Sequence, residues 1–117
     1  MRIERYLGRI GFAGAPAANL ETLRAMHRGH ALRIPYENLD VQLGRPVSRD
    51  PTRAFEKIVE GVRGGWCFEM NGVFSAALDA VGFRVRRLAG AVMREMLGDD
   101  AIGNHLVILV DLDETYL

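Results

Sequence analysis

Cysteine is almost absent from this sequence: Cys67 is the only one in 117 residues. A single thiol forms no intramolecular disulfide and no multi-cysteine zinc site, and a reducing compartment is the default. An excess of charge of one sign is absent as well. Fifteen basic residues face 15 acidic ones for a formal net charge of zero. A balanced chain of this kind does not advertise nucleic acid or an anionic membrane as its partner. Lysine is nearly missing, Lys57 being the only one among the basic residues. Long hydrophobic runs are also lacking. The longest, Leu106 to Val110, has the length of a strand and falls far short of the roughly 18 residues of a membrane span. The opening Met1-Arg2-Ile3-Glu4-Arg5 leads into mixed polar sequence without an apolar h-region, so a soluble, cytoplasmic protein is expected.

What is present is ordinary globular material. Hydrophobic residues make up 49% and charged residues 26%, enough apolar surface to build a core and to argue against disorder. The periodicity is helical first. Residues 3–10 predict a short helix ending at Gly11. Asn19 caps a second helix with an apolar stripe of Leu20, Leu23, Met26 or His27, and Ala31, stopping before Pro35. Residues 36–48 read as an extended loop. Asp50-Pro51 starts a third helix, with Phe55, Ile58, Val59 and Val62 at helical spacing and Gly61, Gly64 and Gly65 closing it. A fourth begins near Cys67 and runs to Val81, its buried face being Met70, Val73, Phe74, Ala77, Leu78 and Val81, with Gly82 as its stop.

Then the period changes. Phe83 to Met93 predicts an irregular strand, residues 94–103 a loop, His105 to Leu112 a strand, Asp113-Glu114 a turn, and Thr115-Tyr116-Leu117 the start of another strand. Helices first and an unfinished meander after them suggest the front part of a larger protein. Residues 1–82 are expected to form a helical unit and residues 83–117 the first strands of a second one.

Chemistry concentrates at Arg63-Gly64-Gly65-Trp66-Cys67-Phe68-Glu69-Met70-Asn71. A lone cysteine is often a small buried hydrophobe. This one follows a Gly-Gly turn and opens a helix, where N–H groups and the helix dipole favour a thiolate and can hold an oxyanion. Position alone leaves nucleophile and structural cysteine both open. The Gly-Gly turn is not a phosphate loop, since no Gly-Lys-Ser/Thr follows it. A nucleophilic cysteine needs a base, usually histidine. His27 and His30 lie three apart in a helix without a third ligand nearby, which favours structural or surface roles over a metal site. His105 opens an apolar strand after Gly103-Asn104, a rigid place for a base, although a solvent-facing histidine at a strand end fits the same position. Glu69 is expected to cap the helix start or pair with an arginine. Trp66 is expected to pack beside the turn.

These residues carry a resemblance. The run 63–71 resembles the active-site signature R-G-G-x-C-x-E-x-N of the arylamine N-acetyltransferases. Tyr6-Leu7-Gly8-Arg9-Ile10-Gly11 resembles their opening helix, Ile34-Pro35-Tyr36-Glu37-Asn38-Leu39 their I-P-[FY]-E-N-L segment, and Asn104-His105-Leu106-Val107-Ile108-Leu109-Val110 the strand bearing their histidine. The resemblance implies an α+β fold with a papain-like, cysteine-proteinase-like core: a helical first domain, an antiparallel β-barrel second domain and an α/β lid. It implies a Cys-His-Asp triad with Cys67 as nucleophile and His105 as base. It implies covalent ping-pong transfer of acetyl from acetyl-CoA to an arylamine or arylhydrazine, without a metal. Residues binding CoA are not assigned. Arg9 with Glu37, and Arg63 with Asp40, are candidate ion pairs around the cysteine turn. The family aspartate follows a Y-L-x-D-x-G-F-G run and is expected just beyond Tyr116-Leu117. Asp111 shares a strand face with His105 by parity but lies roughly 20 Å along it, out of reach. Asp99 and Asp100 sit in the preceding loop. Alternatives are a related amide synthase, a cysteine hydrolase, and a truncated or inactive member acting in an assembly through self-association or a separate C-terminal portion.

Overall fold

The computed structural model describes residues 2–37, 39–44, 50–91, 102–112 and 115–116. Helix α1 spans Ile3–Ile10 and buries Tyr6, Leu7 and Ile10, ending at Gly11 in the left-handed conformation (φ 71°). Helix α2 spans Leu20–Arg33, and the Asn19 side chain accepts a hydrogen bond from the Thr22 N–H at 2.8 Å, which satisfies one of the orphan donors of the first turn. Its buried face is Thr22, Leu23, Met26 and His30, rotated from the expected stripe. Leu20, His27 and Ala31 lie on the exposed side. The rotation follows from α1. A Cβ on Gly29 would lie 2.5 Å from the Ile10 carbonyl oxygen, so glycine lets the two helices approach along that line and turns His30 inward.

The expected extended loop after residue 36 contains a helical turn, α3, Leu39–Gln42. Residues 45–49 lie outside the described residues. Helix α4, Pro51–Phe55, starts as its sequence predicts, with the Asp50 carboxylate accepting from the Thr52 N–H at 3.0 Å. It then widens into a π-helical segment, Glu56–Glu60, in which the Gly61 N–H reaches back five residues to the Glu56 carbonyl at 2.7 Å. The Ile58 carbonyl is taken by Arg9 Nε from α1 at 2.9 Å, a contact that nothing in the local pattern announces. Helix α5 spans Cys67–Val81 and ends at left-handed Gly82, with the expected face buried apart from Val81, which is only partly covered.

The strands form an antiparallel meander in the order β1-β2-β3: β1 Arg84–Ala91, β2 Ile102–Leu112 and β3 Thr115–Tyr116. The register pairs Arg84 with Asp111 and Gly90 with His105, then shifts between Gly90 and Ala91. Strand β2 therefore starts before His105, which is its fourth residue rather than its first. Most of the expected loop 94–103 and the expected turn at 113–114 lie outside the described residues. Val110 is buried, and Ile108, Leu112 and Val85 pack against the helical core. On the other face Val107 and its cross-strand partner Leu88 are 40% and 43% exposed, so one face of the sheet is covered. An unbroken apolar run such as 106–110 suits a strand covered on both faces, and within this chain the second face is partly open to solvent. One cluster centred on Tyr6, Met26, Ile34, Ile58, Val73 and Leu78 joins helices and sheet into an α+β unit.

Candidate active site

The cysteine turn is built by two segments lying side by side. Tyr36 and Gly65 form a parallel bridge. The Gly65 N–H donates to the Pro35 carbonyl at 3.2 Å, and the Glu37 N–H donates to the Gly65 carbonyl at 2.9 Å. A Cβ on Gly64 would stand 1.8 Å from the Pro35 carbonyl oxygen, so only glycine permits this approach. The two sequence segments quoted above are thus one structural unit.

This pairing sets Tyr36 over the start of α5. Its hydroxyl oxygen accepts a hydrogen bond from the Cys67 backbone N–H at 3.0 Å, while its ring is largely exposed. Cys67 itself is buried, at the first position of α5. Burial of the Tyr36 hydroxyl, and then the neighbouring Cys67 thiol, raise the phenol above its ordinary pKa. The hydroxyl stays neutral and can both accept and donate. At rest, therefore, the Cys67 N–H that the sequence offers to an oxyanion is held by Tyr36.

A charged network fastens the turn from behind. Arg63 Nη2 donates to Glu37 Oε1 at 2.7 Å. Lys57 Nζ lies 3.8 Å from the same Glu37 oxygen and donates to Glu69 Oε1 at 3.0 Å. Glu69 Oε1 also accepts from the Trp66 N–H at 3.3 Å, which completes the cap expected of it. Among the described residues the cations Lys57 and Arg63 alternate with the carboxylates Glu37 and Glu69, so each of these mostly buried charges faces an opposite one. Glu69 pairs with the only lysine rather than with an arginine, because the π-helical segment turns Lys57 toward α5. Arg9 does not pair with Glu37. Its guanidinium donates to the carbonyls of Ile58, Arg33 and Arg63 at 2.9, 2.7 and 3.4 Å. The side chain of Asp40 lies outside the described residues. Trp66 packs against Phe68 at 5.3 Å between ring centroids.

Asn71 stands one helical turn beyond Cys67, and its local sequence announces no partner. Its Nδ2 donates to the Leu106 carbonyl of β2 at 2.6 Å. The backbone of His105 is the next residue along that strand; its side chain lies outside the described residues. Asp111 sits far along β2, paired in register with Arg84 and 4.0 Å from its guanidinium. Asp99 and Asp100 lie outside the described residues.

His27 and His30 are apart from this site. His30 is buried between α1, α2 and α5, with Nδ1 2.7 Å from the Tyr6 hydroxyl and its ring 5.0 Å from that of Phe74. Burial first, then His27 and Arg9, push its pKa down to about 4. Among the described residues no group of three or more His, Cys, Asp or Glu is arranged to hold a metal ion, and no helix is long and apolar enough to cross a membrane.

The chain matches the N-acetyltransferase family model over residues 19–117. It is 44% identical over 112 residues to an arylamine N-acetyltransferase of Escherichia coli, covering 96% of this chain and 40% of that protein. The solved arylamine N-acetyltransferase of Salmonella typhimurium superposes with a TM-score of 0.89 at 36% identity, over 97% of this chain and 42% of that one. The Mycobacterium marinum arylamine N-acetyltransferase solved in complex with CoA gives a TM-score of 0.85 at 33% identity, over 96% of this chain and 42% of that one. The chain spans about two fifths of the length of these relatives. With the cysteine turn, the I-P-Y-E-N-L segment and the histidine strand joined in one unit, the chain belongs to the arylamine N-acetyltransferase family.

Proposed function

We propose that the protein is an acetyl-CoA-dependent N-acetyltransferase that moves an acetyl group through Cys67 to an arylamine or arylhydrazine. The observation that carries this reading is the place of Cys67. It is the only thiol, at the first position of a helix, on a turn braced by the charged network and tied through Asn71 to the strand of His105. In this reading the Cys67 thiolate attacks the thioester carbonyl of acetyl-CoA. The tetrahedral intermediate collapses, the bond to the CoA sulfur breaks, and the CoA thiolate takes the proton held by His105. The amine then attacks the acetyl-cysteine, His105 takes its proton, and the Cys67 thiolate is restored. Covalent catalysis of this kind divides one difficult step into two easier ones.

The same reading makes residues 1–82 the helical unit of a papain-like core and residues 83–117 the opening strands of its barrel. It places the protein in the cytoplasm, with acetyl-CoA as co-substrate and no metal. The test is incubation with acetyl-CoA without an amine, followed by intact-mass measurement. The expected result is a gain of one acetyl group at Cys67, lost on adding an arylamine with appearance of the acetylated amine. Cys67→Ser is expected to take up no acetyl while melting like the wild type. An acetylated Cys67→Ser protein would overturn the assignment. Release of free acetate without any amine would make the protein a hydrolase instead.

A further inference from the structure

The hydrogen bond from Asn71 to β2 joins the two secondary-structure elements that carry the reactive residues. Asn71 is four residues after Cys67, hence on the same side of α5 one turn along. Leu106 follows His105 directly in β2. The Nδ2–O separation of 2.6 Å is short for an amide donor. Elsewhere among the described residues Phe74 of α5 and Ile108 and Val110 of β2 present apolar side chains to a shared cavity of about 320 Å³. Apolar contacts have no direction and allow a helix to slide along a sheet, whereas one directed hydrogen bond fixes the register between them. The fixing point matters because β1 and β2 lose their regular register next to His105, between Gly90 and Ala91. The ladder resumes only with Ala91 opposite Ile102, so its register is least regular beside His105.

We infer that Asn71 is a positioning residue: through the Leu106 carbonyl it sets the distance between Cys67 and His105, and so the ability of His105 to draw the proton from the thiol. The inference rests on the proposed roles of Cys67 and His105. It assigns Asn71 no contact with substrate.

Because the protein has one cysteine, alkylation by iodoacetamide reads Cys67 alone. The rates at pH 7 are compared for wild type, Asn71→Asp, His105→Gln and the double variant, with thermal melts alongside. Asp keeps the shape of Asn but, as a carboxylate, cannot donate to a carbonyl. Asn71→Asp is expected to slow alkylation by about tenfold in the wild-type background and to change it less than about twofold in the His105→Gln background, since residues acting through one another are not additive. Asn71→Ala, which brings no new charge, is expected to show the same pattern. Equal losses in both backgrounds, or no loss in either, would overturn the inference, since a merely structural role slows alkylation whether or not His105 is present. If His105→Gln alone reacts like the wild type, the base assignment itself fails, which is a separate outcome from the behaviour of Asn71.

Discussion

At the scale of single residues, the site depends on groups with two partners each. The Tyr36 hydroxyl takes the first N–H of α5, a donor that no intrahelical carbonyl can satisfy. It thereby does for the helix what a capping side chain would do, from a residue 31 positions away in the chain. Tyr36→Phe keeps the ring and removes the acceptor. The expected loss is about 1 kcal/mol of folding stability, read as a lower urea midpoint at unchanged slope. Unchanged stability would mean that water replaces the hydroxyl at no loss. Lys57 is the complementary case. Nothing in its neighbours marks it, yet it is the cation that balances buried Glu69. Its role follows from the π-helical turn, whose bond pattern depends on partners outside the helix.

At the scale of elements, the cysteine turn is held by the close passage of two backbones. Gly64 meets the Pro35 carbonyl where no side chain fits, and the bridge between Tyr36 and Gly65 depends on that approach. Gly64→Ala forces the two segments apart and is expected to destabilise the protein by about 3 kcal/mol, with weaker Cys67 reactivity because the Tyr36 contact opens too. Gly44→Ala, at a residue with open space around it but a left-handed backbone (φ 69°), serves as a comparison. It is expected to cost about 1 kcal/mol through backbone strain and to leave Cys67 reactivity unchanged. Urea denaturation and iodoacetamide rates on the same samples check both outcomes. Comparable loss of reactivity in the two variants would show that general loosening, and not the Pro35–Gly64 approach, governs the thiol.

At the scale of the whole molecule, His30 couples stability to pH. It lies where α1, α2 and α5 meet, bonded to Tyr6 and against Phe74. Its pKa falls from the ordinary 6.5 to about 4 in the folded protein, because burial disfavours the imidazolium and the neighbouring His27 and Arg9 add to that. Between those two values the unfolded chain binds a proton that the folded one does not, so stability falls as the medium is acidified. The contribution of the neutral, buried ring is complete above pH 6.5 and is lost progressively down to about pH 4. The largest effect is on the order of 3 kcal/mol. Thermal melts between these limits are expected to show a steeper acid decline for the wild type than for His30→Gln, which has no group titrating there. Parallel declines would remove His30 as the cause.

Local rules and tertiary contacts divide the molecule cleanly. Helices α1, α2 and α5, the Asn19 and Asp50 caps and the glycine stops at 11 and 82 were determined by the sequence itself, since each depends on the backbone and side chains of its own neighbourhood. The strand character of Leu106–Val110 and the place of Cys67 at a helix start were legible for the same reason. The inward turn of His30, the π-helical widening after Phe55, the pairing of Glu37 with Arg63 and the reach of Asn71 to Leu106 were decided only by tertiary structure. Each is a contact between segments at least a dozen residues apart or the consequence of one. Hydrophobic period and capping chemistry report which residues face inward along one element. They do not report how far a neighbouring element has been rotated or slid, and that displacement chooses the partner of every long polar side chain around Cys67.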